Sequence, residues 1–179
     1  MAEQANEPVV LVEHDPRWSS MYCAELQRIA PAIGAAALRC EHIGSTAVSG
    51  LRAKPIIDIL VGVASLTHAD ACIDPLTALD YEYVKRFETR LPRRRFFRRR
   101  VNGATTFQVH MVELDGDLWR EHLLFRNALQ TYPDLRERYL ALKEELAERF
   151  RDQRESYADA KGEFVREALR IAESRGLKA

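Results

Sequence analysis

One carboxylate sits in the middle of the most apolar stretch of the chain, Pro55-Ile-Ile-Asp58-Ile-Leu-Val-Gly-Val63. A run of this length, apolar on both faces apart from Asp58 and bounded by turn residues, predicts a central strand of a covered sheet. A lone carboxylate there is costly to bury unless it is paired or binds a metal. Alternation along the strand puts Lys54, Ile56, Asp58 and Leu60 on one face, with Lys54 and Asp58 about 13 Å apart at ~3.3 Å per residue. That is too far for an ion pair. It suits a cation touching one end of a polyphosphate and a carboxylate holding Mg²⁺ at the other. The alternative is a structural aspartate bonded to backbone amides or an arginine.

The remaining pattern places this strand in an α+β domain, with helices packed on one side of a mixed sheet and a helical C-terminal third. Val9–Val12 reads as a short strand. Asp15-Pro16 opens a helix that runs to about Ala32, with Trp18, Met21, Tyr22, Leu26 and Ile29 at helical spacing. A strand over Ala37–Ile43 leads into the turn-rich Gly44-Ser-Thr-Ala-Val-Ser-Gly50. Beyond the central strand, Leu66–Leu79 reads as a helix and Tyr81–Phe87 as a strand. Phe96–Val101 and Thr105–Val112 flank Asn102-Gly103 as a hairpin. Helices are expected over Leu118–Gln130, from Leu135 to Phe150, and over Glu155–Ala172. Residues 1–179 read as one domain, with 1–8 expected to be flexible.

Composition narrows the class. The 179 residues are 46% hydrophobic and 30% charged, the balance of a chain that folds on a core, not of a disordered one. Lys plus Arg and Asp plus Glu both number 27, so net charge alone points to neither nucleic acid nor membrane. Cys23, Cys40 and Cys72 are widely spaced and suggest neither a disulfide framework nor a zinc site. The acidic start lacks a signal-peptide pattern, and the longest apolar run is about half what a bilayer needs. A cytoplasmic protein with no membrane partner and no organic cofactor is expected.

Gly44, Ser45 and Thr46 are candidates for holding phosphate, because small residues let backbone amides approach closely and hydroxyls add donors. Without Asp58 downstream they would read as an ordinary turn. His110 shares a strand face with Gln108 and Val112, opposite Phe107, Val109 and Met111. Beside the central strand it would serve as a base or a polar contact; otherwise it is a structural histidine, as is His42. Seven arginines and two phenylalanines crowd Arg90–Arg100. Alternate arginines should face opposite ways, with Phe96 or Phe97 entering the core. This run suits RNA or DNA, a basic rim for an anionic small molecule, or a solvated edge guarded against strand pairing.

Taken together, His42-Ile-Gly-Ser-Thr-Ala-Val-Ser-Gly-Leu51, Ala53-Lys-Pro-Ile-Ile-Asp-Ile-Leu60, Val109-His110, Leu124-Phe-Arg126, Tyr139-Leu-Ala-Leu-Lys143 and Tyr157-Ala-Asp-Ala-Lys161 resemble the GrpB family. The resemblance spans almost the whole chain. It implies the nucleotidyltransferase superfamily with its polymerase-beta-like fold, in a family that also occurs fused to dephospho-CoA kinase. The superfamily pattern is a Gly-Ser pair followed by two acids two residues apart on the next strand. Gly44-Ser45 and Asp58 match it; Leu60 stands where the second acid belongs, and Ser49 where the family commonly has proline. The implied function is binding of a nucleotide or other phosphorylated or anionic small molecule, with a single Mg²⁺ on Asp58 and transfer of a nucleotidyl group. A non-catalytic binding module and an RNA-associated factor using residues 90–100 are the alternatives. The resemblance assigns catalysis to Asp58 and His110. It assigns substrate binding to His42, Gly44, Ser45, Thr46, Lys54, Arg126, Lys143, Tyr157 and Lys161, the lysine–tyrosine pairs at i,i+4 forming a positive wall that faces the sheet.

Overall fold

A computed structural model describes residues 8–179; the expected flexible stretch 1–8 lies, apart from Pro8, outside the described residues. Helix α1 (Arg17–Ile33) opens the chain, and the Asp15 carboxylate accepts the Arg17 N–H at 2.9 Å beside it. There follow β1 (Arg39–Ile43), β2 (Ile57–Val63), the short helices α2 (Leu66–Asp70) and α3 (Ile73–Thr77), and β3 (Tyr81–Tyr83). The hairpin β4 (Arg94–Val101) and β5 (Ala104–Glu113) comes next. Four helices finish the chain: α4 (Asp117–Thr131), α5 (Pro133–Arg149), α6 (Arg154–Ala160) and α7 (Gly162–Ser174).

The strands form one mixed sheet in the order β1-β2-β5-β4-β3. Only β2 and β5 run parallel, with Leu60 opposite His110; the other neighbours are antiparallel. Asn102 and Gly103, with φ of 52° and 82°, make the tight turn of the hairpin that the Asn-Gly pair predicts. The α+β class and the helical C-terminal third are as expected.

Several elements are shorter than the sequence suggests. Val9–Val12 contributes a single bridge, Val12 to Ala53, because the Val9 N–H is spent on the Arg151 carbonyl at 2.7 Å. Leu66–Leu79 splits into α2 and α3, since Pro75 cannot donate to the Ala71 carbonyl and its ring crowds that group. The Tyr81–Phe87 strand stops at Tyr83 and becomes a 3₁₀ turn over Lys85–Thr89, which lets the Phe87 ring reach Phe96, centroids 5.4 Å apart. The last helix breaks between α6 and α7 at Lys161-Gly162.

Strand alternation sorts the core. Ile57, Ile59, Val61 and Val63 of β2 join Phe97, Phe107, Val109 and Met111 under α1, α2 and α3. On the opposite face Leu60 packs with Ile43, Val112, Trp119 and Leu123, so α4 covers that end of the sheet. A separate apolar cluster holds the C-terminal helices together and takes in Val48 and Leu51, pinning the Gly44–Leu51 connection to α4, α5 and α7. The rest of the second face stays open beneath α5 and α6.

The covered face also carries an ionic anchor. Glu25 of α1, 4% exposed, accepts hydrogen bonds from Arg99 of β4 at 2.6 and 3.1 Å. It also accepts from the Tyr81 hydroxyl at 2.8 Å and from Arg28 at 3.2 Å. Removing one partner of a buried pair leaves an uncompensated charge. Glu25→Ala is expected to cost about 3 kcal/mol of folding stability, read as a lower urea midpoint at unchanged slope; a loss within surface-substitution range, under ~0.5 kcal/mol, would contradict this.

Candidate functional site

Between the open half of the sheet and α5–α6 lies a cavity of about 870 Å³. Its sheet side is built by alternation. Asp58 on β2, Gln108 and His110 on β5, and Arg94, Phe96 and Arg98 on β4 all project from the face opposite α1. Its helical side carries Tyr139 and Lys143 from α5, Tyr157 from α6, and Lys161.

Asp58 and His110 meet because their strands are parallel neighbours: His110 Nε2 lies 3.2 Å from Asp58 Oδ1. On the other side of the ring, Arg94 Nη1 lies 3.2 Å from His110 Nδ1. A guanidinium can only donate, so Nδ1 is the acceptor, and Nε2 carries the proton given to Asp58. His110 is therefore a neutral imidazole with both nitrogens engaged. Burial holds it below its ordinary pKa, against the pull of Asp58. Arg94 lies over the Phe96 ring at 4.9 Å, and burial lowers its pKa to about 10. Arg94 Nε is buried with no hydrogen-bond partner.

Gly44 explains how the turn reaches this group. Its φ is 70°, and a Cβ there would stand 2.3 Å from Asp58 Oδ2. Glycine is required both by conformation and by the carboxylate beside it. The turn is fixed from behind by Thr46, whose hydroxyl donates to the Ile56 carbonyl at 3.0 Å. That leaves Thr46 Oγ1 to accept from His42 Nε2, also at 3.0 Å. The His42 ring stacks on Tyr22 at 4.9 Å, and burial drops its pKa to about 4.

The structure thus gathers Gly44, Ser45, Lys54, Asp58, His110, Lys143, Tyr157 and Lys161 around one cavity. His42 and Thr46 support the turn on the α1 side. Arg126 ties α4 to β1, donating at 2.9 Å to both Glu41 and the His42 carbonyl. Tyr157, buried, has the Lys54 ammonium 5.0 Å and the Lys161 ammonium 4.4 Å from its ring centre. Lys143 lies 5.2 Å from the Tyr139 ring and donates to the Arg52 carbonyl. It is 1% exposed, and burial, followed by Lys161, Lys54 and Arg52, lowers its pKa to about 7.

The arginine run divides by partner. Arg90, Arg93, Arg95, Arg98, Arg99 and Arg100 each pair with a carboxylate, whereas Arg94 turns into the cavity beside His110. Sequence reasoning weighed the run as a whole and did not single out Arg94. Its register opposite Val112, on the His110 face, was the usable signal. In all, nine lysine and arginine side chains line the cavity against three carboxylates, Asp58, Glu155 and Asp159, so its wall is predominantly cationic. Glu155 and Asp159 are themselves held by Arg86 and Arg90 at 2.9 Å.

A resident metal pair does not fit this donor set. Among the described residues no three His, Cys, Asp or Glu side chains gather to hold a metal ion. Position 60, where a second acid would stand, is a leucine packed under Trp119. Bridging carboxylates are what neutralise paired divalent ions, and Asp58 is joined to the neutral His110 instead of to a second acid. No helix among the described residues is long and apolar enough to cross a membrane.

Residues 8–170 match the sequence profile of the GrpB protein family. The chain is 34% identical over 165 residues to the glutamate-rich protein GrpB of Alkalihalophilus pseudofirmus, covering 90% of this chain and 94% of that protein. It is 31% identical over 191 residues to a dephospho-CoA kinase of Mycolicibacterium paratuberculosis, covering 94% of this chain and 47% of that protein. The crystal structure of the conserved protein GrpB from Enterococcus faecalis superposes with a TM-score of 0.82 at 32% identity, covering 93% of this chain and 98% of that one.

Gly44→Ala tests the geometry of the turn. The forced left-handed alanine and the displaced Asp58 should together cost roughly 1–3 kcal/mol. The His110 ring resonances should shift as its bond to Asp58 breaks. An unchanged melting temperature with unchanged ring signals would show that the turn does not press on Asp58.

Proposed function

The chain belongs to the GrpB family, and from that premise we propose that it binds a nucleotide or another phosphorylated small molecule in the cavity between the sheet and α5–α6. The observation that carries this reading is the excess of cations over carboxylates in the cavity wall, with Lys143 buried and Arg94 half-buried in it and neither ion-paired to a carboxylate. Burying positive charge without a counter-ion is unfavourable, so an anionic ligand relieves a cost already present in the fold. Gly44 and Ser45 offer backbone and hydroxyl groups at the same wall, and Lys54, Lys143 and Lys161 neutralise phosphate from around Tyr157.

Binding is the activity the geometry supports best. Nucleotidyl transfer would find one carboxylate at Asp58 and, in His110, a histidine with neither nitrogen free to take a proton. Phosphate neutralisation is therefore assigned to side chains, with no role given to resident Mg²⁺. Relatives that include a dephospho-CoA kinase, a protein named for acting on a nucleotide derivative, lend support to a phosphorylated ligand. A nucleic-acid partner has less support, because six of the seven arginines in the run are engaged by carboxylates of the chain itself. Cytoplasmic residence accords with Cys23, Cys40 and Cys72 all being free thiols.

Calorimetry with nucleoside triphosphates, in EDTA and in Mg²⁺, tests the proposal. Binding is expected to persist in EDTA and to survive Asp58→Ala, which removes a repulsive charge. Binding that needs Mg²⁺ and vanishes with Asp58 would replace this reading with a metal-centred one, and no binding under either condition would end it.

The lowered pKa of Lys143 predicts a pH effect with a definite sign. Burial favours its neutral form, so a bound anion must draw a proton back onto it. Anion affinity should fall as pH rises through about 7 to 9, with proton uptake on binding over that range. Lys143→Met should lose that part of both effects, the ligand's own titration being common to the two proteins. Equal proton uptake by wild type and variant, measured in buffers of different ionisation enthalpy, would contradict the assignment.

A further inference from the structure

Arg94 differs from every other arginine of its run. The others each meet a carboxylate, but the guanidinium of Arg94 lies half-buried over Phe96 and spends Nη1 on the neutral His110 ring. Its Nε–H is sealed from solvent without any acceptor. Folded proteins seldom leave such a donor unmet, and a charged donor least of all. Asp58, the nearest acid in this chain of contacts, is held at the far side of the imidazole by its own bond to Nε2. The result is a cation fixed in orientation by a ring, which is in turn fixed by a carboxylate.

We propose that Arg94 is the phosphate anchor of the cavity, receiving an oxyanion of the ligand on its guanidinium edge, with His110 as a positioning residue locked by Asp58. The inference rests on the phosphorylated-ligand reading above and deepens it. An arginine held by one terminal nitrogen presents its remaining donors as a planar fork, and a planar fork matches two oxygens of one phosphate. Lys143 and Lys161 stand on the helical wall and Arg94 on the sheet, so the cavity has positive charge on two sides. That arrangement selects a ligand whose charge is spread over more than one phosphate. Phe87, Leu91 and Phe96 line the same cavity and give the uncharged part of such a ligand an apolar surface.

The experiment compares wild type, Arg94→Lys and Arg94→Gln by calorimetry with ATP, inorganic tripolyphosphate, inorganic phosphate and citrate as probes. Wild type is expected to bind ATP and tripolyphosphate at least ~10-fold more tightly than inorganic phosphate or citrate. Arg94→Lys keeps the charge but loses the fork and should bind ~10-fold more weakly, and Arg94→Gln ~100-fold. Because either variant could unfold, the wild-type Arg94 Nε–H is also followed by NMR, assigned through its own side-chain carbons. It should shift on titration with tripolyphosphate, as an unbonded N–H that gains an acceptor does. If wild type binds phosphorylated probes while that resonance stays still, or folded Arg94 variants bind as wild type does, the anchor is elsewhere and the cavity reading stands. Citrate binding as tightly as tripolyphosphate overturns the phosphate class. Wild type binding none of the four removes the cavity reading and this inference together.

Discussion

Parallel pairing of β2 with β5 is the constraint on which the site depends. All other neighbours in the sheet are antiparallel, and a parallel pair cannot be made by a hairpin. The chain must leave β2, cross through α2 and α3, lay down β3 and β4 at the far edge, and return as β5 between β4 and β2. This crossover brings Asp58 and His110, 52 residues apart, within hydrogen-bonding distance. It also puts Arg94 on the same face, because the antiparallel hairpin pairs Phe96 with His110. A one-residue slip in either register would turn these side chains into the apolar layer beneath α1.

The second dependence is electrostatic. The fold satisfies its exposed and half-buried arginines from its own acids: Glu25, Asp70, Glu82, Asp117 and Asp159 each hold at least one. Within the cavity, burial lowers the pKa of Lys143 and of Arg94, and neither is paired with a carboxylate. Ring contacts hold cations there: Lys54 and Lys161 lie against Tyr157, and Arg94 against Phe96. The two histidines near the turn take different parts in this. His42 braces Thr46 from the covered face, while His110 transmits the position of Asp58 to Arg94.

Leu60 shows how packing limits the chemistry that a strand face can carry. Leu60 lies fully buried with Ile43, Val112, Trp119 and Leu123 beneath α4, where a carboxylate would carry a large desolvation penalty. The cavity brings together the glycine-serine turn and the strand aspartate, with its positive charge carried by lysine and arginine.

Sequence alone determined what is local. The apolar run with Asp58 at its centre made a central strand unavoidable, Asn102-Gly103 fixed a hairpin, and the spacing of Leu135, Tyr139, Leu142 and Leu146 fixed a helix. Alternation correctly separated the faces of β2 and β5, so that Gly44, Ser45, Lys54, Asp58 and His110 were legible as one neighbourhood once the family resemblance was recognised. Tertiary structure decided what depends on distant partners. Arg94 could not be told from its six neighbours until strand pairing gave them acids and left it none. His42, Thr46 and Arg126 came from the resemblance as substrate contacts, and the packing of α1, β1 and α4 places them outside the cavity lining, in hydrogen bonds around the turn. The physical reason is the same in each case: periodicity specifies the face a residue takes, whereas charge compensation is settled by which side chains the fold brings across from elsewhere in the chain.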